Sequence, residues 1–263
     1  LLLVVSAGCA GEPIIDDPVQ WPTLLDRPLD FDNPHWRAVE QLQDIAIAKC
    51  DGRYLVGMTD LHGTFDILAA LRDPQALCMD LVDCPDTIAR VAPVVADAFN
   101  QLFCRQYEKV SAAGFGSVCW LPTYHRGPAY PTSCDFWCLV NDAMACELVL
   151  PTIIEETKHL ERAIFHLDGP DALRHLDLLL EIADLDAVQW VYGDGHGRAS
   201  DWIEVYQRCQ AAGKAIDVAG ADPEDALTVL RALKPEGVWL RVGKSFDDRA
   251  SAEAFLAEVE ACR

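Results

Sequence analysis

The stretch Arg162-Ala163-Ile164-Phe165-His166-Leu167-Asp168-Gly169-Pro170 is an apolar run that ends in a histidine and an aspartate separated by one residue. Side chains of a β-strand alternate between its two faces, so a strand here places His166 and Asp168 on the same face. At the carboxyl end of a parallel strand, that face borders the place where ligands bind. We therefore interpret the two residues as the centre of an active site. The alternative is that Asp168 caps the next helix and His166 fills space in the core.

Short apolar runs alternate with longer amphipathic segments on both sides of this stretch. The predicted strands are residues 54–58, 117–121, 163–167, 187–191, 215–218 and 237–242. The predicted helices are residues 36–49, 65–71, 85–112, 141–159, 171–182, 200–212, 223–233 and 250–260. Short strands joined by long helices form a parallel sheet covered by helices. A closed barrel and an open doubly wound sheet both fit, but no Gly-rich phosphate loop follows any strand, which favours a (β/α)8 TIM-type barrel.

Charge and cysteine content narrow the classes of partner. The chain has 21 Lys and Arg against 42 Asp and Glu, a net charge of -21, which repels phosphate backbones and anionic membrane surfaces. We therefore expect a small-molecule substrate, with neither nucleic acid nor a membrane as partner.

Eleven cysteines in a 263-residue chain favour reduced thiols and a cytoplasmic protein. Residues 1–9 resemble the end of a bacterial lipoprotein signal, and a chain that begins inside a domain gives the same apolar start.

Polar side chains recur where the other predicted strands end, and in a barrel these ends converge on one mouth. Asp60 and His62 repeat the pairing of Asp with His, although Asp60 also fits a helix N-cap. Asp135 lies in an aromatic segment, where a solvated turn is the alternative role. We expect Asp60 and Asp135 to join His166 and Asp168 as catalytic residues. The residues expected to contact substrate are His62, Trp190, Gln189, Arg174, His175, Tyr124 and Arg241, and Asp217 also stands at a strand end.

The chain resembles the uroporphyrinogen decarboxylase superfamily, which also includes the corrinoid-dependent methyltransferases. The resemblance is carried by the patterns HLDGP at 166–170, RHLD at 174–177 and QWV at 189–191, within the matching stretches 54–83, 136–151 and 164–193. It implies a TIM-type barrel domain over residues 36–263 with its site at the carboxyl mouth. The Pro- and Asp-rich composition of residues 13–34 predicts an irregular segment at 1–35, and the resemblance implies that the opening β/α material is missing.

The metal site of that superfamily is altered in this sequence. Its methyltransferases hold zinc through a His-x-Cys motif and a later Cys; His166 corresponds to the His, but Asp168 stands in place of the Cys. An imidazole with carboxylates is a harder donor set that suits zinc less well. A divalent metal therefore stays open as a cofactor, with His166 and Asp168 as its ligands if one is bound. The arginine pair with which the decarboxylases grip their substrate has no counterpart.

The resemblance implies a methyltransferase-like enzyme of one-carbon transfer, with a corrinoid carried on a partner protein. Three alternatives remain. One is a decarboxylase-type lyase. Another is a carbohydrate-active barrel in which Asp135 and Asp168 act as acid and base while Trp137 and Trp190 stack on a sugar. The third is a non-catalytic binding protein that has kept the site but lost the chemistry.

Overall fold

The protein has an α/β fold, seen in a computed structural model that describes residues 13–262; the apolar start at residues 1–9 lies outside the described residues. Chain contacts divide it into two compact units, one ending at Ala163 and the other beginning at Ile164. None of the helices within residues 13–262 combines the length and the apolar character needed to cross a bilayer.

The α-helices and strands are α1 (Pro34–Cys50), α2 (Thr64–Arg72), α3 (Pro74–Asp83), α4 (Pro85–Ala112), β1 (Ala129–Ser133), α5 (Asp142–Met144), α6 (Leu150–Thr157), β2 (Arg162–Asp168), α7 (Leu176–Leu180), β3 (Ala187–Val191), α8 (Ile203–Ala211), β4 (Ala215–Ala221), α9 (Pro223–Ala232), β5 (Val238–Val242) and α10 (Arg249–Ala261).

The C-terminal unit is built on parallel strands that follow one another in sequence order. β2 pairs with β3, β3 with β4, and β4 with β5, each in parallel. Helices α7 to α9 lie between successive strands along the chain, which is the β/α repeat that the sequence predicts. The parallel α/β character is therefore confirmed here, while closure into an eight-stranded barrel stays a prediction. So does the domain boundary at residue 36.

The N-terminal unit is centred on the 28-residue helix α4. Pro85 stands in its first turn, where a missing backbone N–H costs nothing, and this explains why the helix begins where the sequence predicts. Phe99 and Phe103 of α4 pack edge to face against Tyr130 of β1, with ring centroids 5.8 and 5.7 Å apart. The helix thus fixes the position of the Tyr130 ring, whose hydroxyl reaches one of the loops predicted to be functional.

Two predicted strands of the N-terminal unit are wrong. Residues 54–58 carry no strand, although the Met58 N–H donates to the Val118 carbonyl at 2.8 Å. Residues 117–121 contribute only an isolated antiparallel bridge between Ser117 and His125. Both segments are apolar and locally extended, but a strand needs a continuous hydrogen-bonded ladder, which local pattern does not specify. β1 lies instead at Ala129–Ser133 and was not predicted.

A buried ion pair ties the start of the described chain to α2 and α3. Asp80, only 2% exposed, accepts hydrogen bonds from the Trp21 indole at 2.7 Å and from Arg72 Nε at 2.8 Å. Arg72 Nη1 also donates to the carbonyls of Ile15 and Asp16 at 3.2 and 2.7 Å. The Asp80 carboxylate therefore satisfies two buried donors, and it orients the Arg72 guanidinium toward the carbonyls of Ile15 and Asp16.

We predict that Asp80→Ala lowers the free energy of unfolding by about 3 to 5 kcal/mol, because it leaves the Arg72 guanidinium and the Trp21 indole without their buried acceptor. Urea denaturation followed by tryptophan fluorescence measures the change. Asp83→Ala, at an exposed position of the same helix, is the matched control and should cost less than about 0.5 kcal/mol. Equal losses in the two variants would contradict a structural role for the ion pair.

Candidate functional site

Four polar side chains form a continuous row across the strands of the C-terminal unit, and we call this set the polar row: His166, Gln189, Asp217 and Arg241. The parallel register aligns His166 with Gln189, and Gln189 with Asp217. Asp217 is aligned with Trp239, and Arg241 follows two residues later, so its side chain is on the same face of β5. The register alone therefore brings residues from four separate segments of the chain side by side.

Hydrogen bonds connect the members of the polar row without a gap. His166 Nδ1 lies 2.5 Å from Gln189 Oε1. Gln189 Nε2 donates to Asp217 Oδ2 at 3.2 Å, and Arg241 Nε donates to Asp217 Oδ1 at 2.9 Å. An amide oxygen only accepts hydrogen bonds, so in a neutral ring this contact is a hydrogen bond only in the tautomer that carries its hydrogen on Nδ1 and its lone pair on Nε2.

Asp217 is a buried carboxylate whose charge is balanced by Arg241. Its side chain is 3% exposed, and burial raises its pKa. The Arg241 hydrogen bond and charge act in the opposite direction, as does the amide of Gln189. The charge is therefore sustained inside the sheet by a cation at hydrogen-bond distance, the condition under which buried carboxylates are tolerated.

His166 and Asp168 are brought together as the sequence predicts. Alternate residues of β2 are buried, and His166 and Asp168 lie on the opposite, more accessible face. Each offers a potential ligand atom within 4.8 Å of the other. The helical turn that follows begins after Ala172, so Asp168 is not its N-cap. Helix capping therefore does not account for this carboxylate.

The loop before α2 brings Asp60 and His62 together in the N-terminal unit. His62 Nε2 lies 3.8 Å from Asp60 Oδ2, and both side chains are partly exposed. The Tyr130 hydroxyl lies 3.4 Å from Asp60 Oδ1 and accepts a hydrogen bond from the Leu61 N–H. The N-cap of α2 is Gly63, so Asp60 does not have the capping role that the sequence left open.

Two acidic side chains near this loop were missed by the sequence prediction. Asp66 accepts the backbone N–H groups of Asp135 and Phe136 at 3.1 and 2.9 Å. Glu156, 1% exposed, accepts the N–H and the hydroxyl of Thr64 at 2.7 and 2.6 Å on Oε1. Burial raises the pKa of Asp66 to about 6 and that of Glu156 to about 8. Glu156 therefore holds a proton at neutral pH.

Gly63 explains how the loop approaches these acids so closely. A Cβ at this position would lie 1.9 Å from the carbonyl oxygen of Ser133, so only glycine fits. The loop that bears Asp60 and His62 is consequently pressed against the end of β1. Within the described residues Glu156 Oε2 has no hydrogen-bond partner, which is a cost that the protonated acid bears more easily than the anion.

The other predicted residues lie in the following surroundings. Trp190 is fully buried and packs edge to face against Trp202, with ring centroids 5.2 Å apart, which is a core position. Arg174 donates from Nε to Nε2 of the buried His175 at 3.1 Å. Tyr124 is exposed in the segment before β1, and Asp135 is exposed at the start of a 3₁₀ helix.

Comparison with known proteins supports the fold only. No family model matches the sequence, and no curated protein matches it. Among solved structures, a methyltransferase from Methanosarcina mazei is similar with a TM-score of 0.55 and 10% sequence identity, over 89% of this chain and 67% of that one. The chain therefore has a fold like that of this methyltransferase. The more specific resemblance to the corrinoid-linked superfamily stays a prediction.

We predict that Glu156→Gln makes stability less sensitive to pH below about 8. Between pH 4.5 and about 8 the folded chain keeps a proton on Glu156 that the unfolded chain has released, so stability falls as pH rises through this window. Glutamine preserves the acceptor for Thr64 and cannot ionise. The stability of the variant relative to the parent should therefore grow by about 2 kcal/mol between roughly pH 6.5 and 8.5.

Urea denaturation at several pH values across that range measures this gain. Glu155→Gln is the matched control, because Glu155 lies next to Glu156 on α6 but pairs with Lys158 at the surface. The control should follow the pH dependence of the parent. Parallel curves for parent and Glu156→Gln would show that Glu156 is already ionised in the folded protein.

Proposed function

We propose that the chain is a methyltransferase-like enzyme that transfers a methyl group from a methylated corrinoid, carried by a partner protein, to a small-molecule acceptor. The observation that carries the proposal is the pairing of His166 with Asp168 on the accessible face of β2, where each offers a potential ligand atom within 4.8 Å of the other while Nδ1 of the ring contacts Gln189 Oε1. The fold likeness to a methyltransferase supports the reaction class, although a fold by itself does not determine function. A small acceptor also agrees with the strongly negative net charge.

The proposed reaction needs a base and an orienting anion, and the site has one of each. The acceptor, a thiol or an amine, releases its proton to His166 Nε2. Its sulfur or nitrogen then forms a bond to the methyl carbon, and the carbon–cobalt bond of the methylated substrate breaks with both electrons remaining on cobalt. Asp168 stabilises the imidazolium that forms, and the polar row keeps the ring in its orientation.

The same two residues fit a divalent cation as two of its ligands. Imidazole nitrogen and carboxylate oxygen ligate divalent cations such as zinc at about 2.0 to 2.2 Å, so one ion would bind both once their donor atoms, which lie within 4.8 Å of each other, come to about 4.4 Å or less. The Gln189 contact to Nδ1 is the second hydrogen bond that ligating histidines usually make. A bound ion would supply Lewis acidity that lowers the pKa of an acceptor thiol. Both roles require the lone pair on Nε2.

The alternatives have less support. The carbohydrate hypothesis relied on Trp137 and Trp190 stacking on a sugar, but both rings are fully buried and offer no face to a ligand. The decarboxylase hypothesis has only the sequence resemblance in its favour. A non-catalytic binding protein remains as one outcome of the experiment below.

We predict that His166→Gln and Asp168→Asn each lower the rate of methyl transfer by about 100-fold or more, because each removes a group that contacts the acceptor or its proton. The assay incubates the purified chain with methylcobalamin and a panel of thiols and amines, with and without added zinc, and follows demethylation by the visible spectrum of the corrinoid. Asp171→Asn is the matched control, since Asp171 is exposed and lies three residues from Asp168. It should stay within about twofold of the parent.

Three results would contradict the proposal. One is demethylation that none of the acceptors stimulates, with or without metal. Another is an equal effect of Asp168→Asn and Asp171→Asn. The third is acceptor binding without turnover that survives both site substitutions, which would identify a binding protein.

A further inference from the structure

We propose that Arg241, Asp217 and Gln189 act as positioning residues whose hydrogen bonds, taken in series, determine which ring nitrogen of His166 carries the hydrogen. The proposal assigns these residues a role other than substrate contact, and its consequence for catalysis rests on the proposed function. The tautomer itself can be observed without any assay of activity. The two claims can therefore fail separately.

Arg241 determines the donor-to-acceptor direction of the hydrogen bonds in the polar row, because a guanidinium donates hydrogen bonds and cannot accept them. Its Nε donates to Asp217 Oδ1, and the ionised carboxylate can only accept. The group of Gln189 that faces Asp217 must then be the NH2 donor, which turns Oε1 toward His166. Nδ1 of His166 has to supply the hydrogen for that contact. Each bond in the row thus fixes the polarity of the next.

The backbone prevents the row from rearranging. His166, Gln189 and Asp217 are held at neighbouring register positions of three parallel strands, so no member can leave without disturbing the sheet. Gln189 and Asp217 are 1% and 2% exposed, which leaves little room for water to substitute for either partner. Only the two ends of the Gln189 amide can exchange, by a half-turn of the side chain. The Gln189 amide therefore has two possible orientations, and the hydrogen bonds to its neighbours determine which one it adopts.

Asp217→Asn should therefore reverse the donor and acceptor roles along the polar row rather than only weaken its hydrogen bonds. Arg241 still requires an acceptor, so the introduced asparagine would place its oxygen toward Arg241 and its NH2 group toward Gln189. Gln189 would then present its oxygen to that NH2 group and its own NH2 group to His166. Nδ1 would become the acceptor, and the hydrogen of the neutral ring would move to Nε2. A change two hydrogen bonds away would thus reverse the chemistry of the reactive nitrogen.

Long-range proton–nitrogen correlation spectra of the full chain, labelled with nitrogen-15 at histidine and treated with a chelator, test this directly. The protein has seven histidines, and the His166 signals are assigned by their loss in His166→Gln. Spectra are recorded at increasing pH until the ring is neutral. The parent should show the hydrogen on Nδ1. A parent ring with its hydrogen on Nε2 would overturn the proposal without any further variant.

Asp217→Asn should show the hydrogen on Nε2, the reverse of the parent. Asp184→Asn is the control, because it removes the same charge from an exposed position of the same unit and should leave the tautomer unchanged. An Asp217→Asn protein that is folded and keeps the hydrogen on Nδ1 would contradict the series. If that variant does not fold, Gln189→Glu provides the second test: the introduced carboxyl group would share a proton with the adjacent Asp217 carboxylate, and its other oxygen would still accept from Nδ1, so the parent tautomer should persist and its reversal would overturn the proposal.

The effect on methyl transfer follows if the proposed function holds. Asp217→Asn should lower turnover by about 10- to 100-fold, as expected when a partner that orients a reactive histidine is lost. Gln189→Glu should retain more activity than Asp217→Asn, because it keeps Nδ1 protonated. A reversed tautomer with unchanged turnover would show that His166 Nε2 is not the reacting group, and the structural part of the inference would stand alone.

Discussion

The ion pair between Arg241 and Asp217 is the interaction on which the rest of the candidate site depends. It allows a carboxylate to stay charged inside a sheet whose interior side chains are mostly apolar. It also gives the row of hydrogen bonds a direction, since one partner only donates and the other only accepts. Without the arginine, burial would favour the neutral acid, which both donates and accepts. The orientation of Gln189 and the ring of His166 would then be undetermined.

The sequence predicts this site well at the level of strands and poorly at the level of partners. A histidine and an aspartate two residues apart in an apolar run must share a face of a strand, and the alternation in β2 agrees. Gln189 and Arg241 were also recognised as strand-end residues. Their connection through Asp217 could not be foreseen, because parallel register joins segments far apart in the chain and no local pattern encodes it. From the sequence alone, Gln189 and Arg241 are therefore expected to contact substrate.

The prediction of the fold from the sequence is limited in the same way, because only local signals can be read from it. Helix α4 was predicted with the bounds Pro85–Ala112 that it has, because a proline start and a long amphipathic period are local signals. The predicted strand at 54–58 fails because an apolar extended run becomes a strand only when a neighbour completes its ladder. Glu156 was invisible for a related reason. A glutamate in an amphipathic helix reads as solvent-facing, and its burial depends on Thr64, which is 92 residues away.

The two units bury acids in opposite ways, and the contrast bears on which of them can serve as a reactive centre. Glu156 has no cation at hydrogen-bond distance among the described residues, so its burial is tolerated through protonation and changes with pH. Asp217 accepts a hydrogen bond from Arg241, and the positive charge of Arg241 opposes the rise in the Asp217 pKa that burial causes. The Asp217 carboxylate therefore stays available to orient its neighbours. A reacting histidine needs a fixed tautomer more than it needs a nearby charge, since one hydrogen on the wrong nitrogen removes both the base and the metal ligand. The arginine-balanced row meets that requirement in the C-terminal unit, where Asp168 beside the ring distinguishes this site from one built on thiolates.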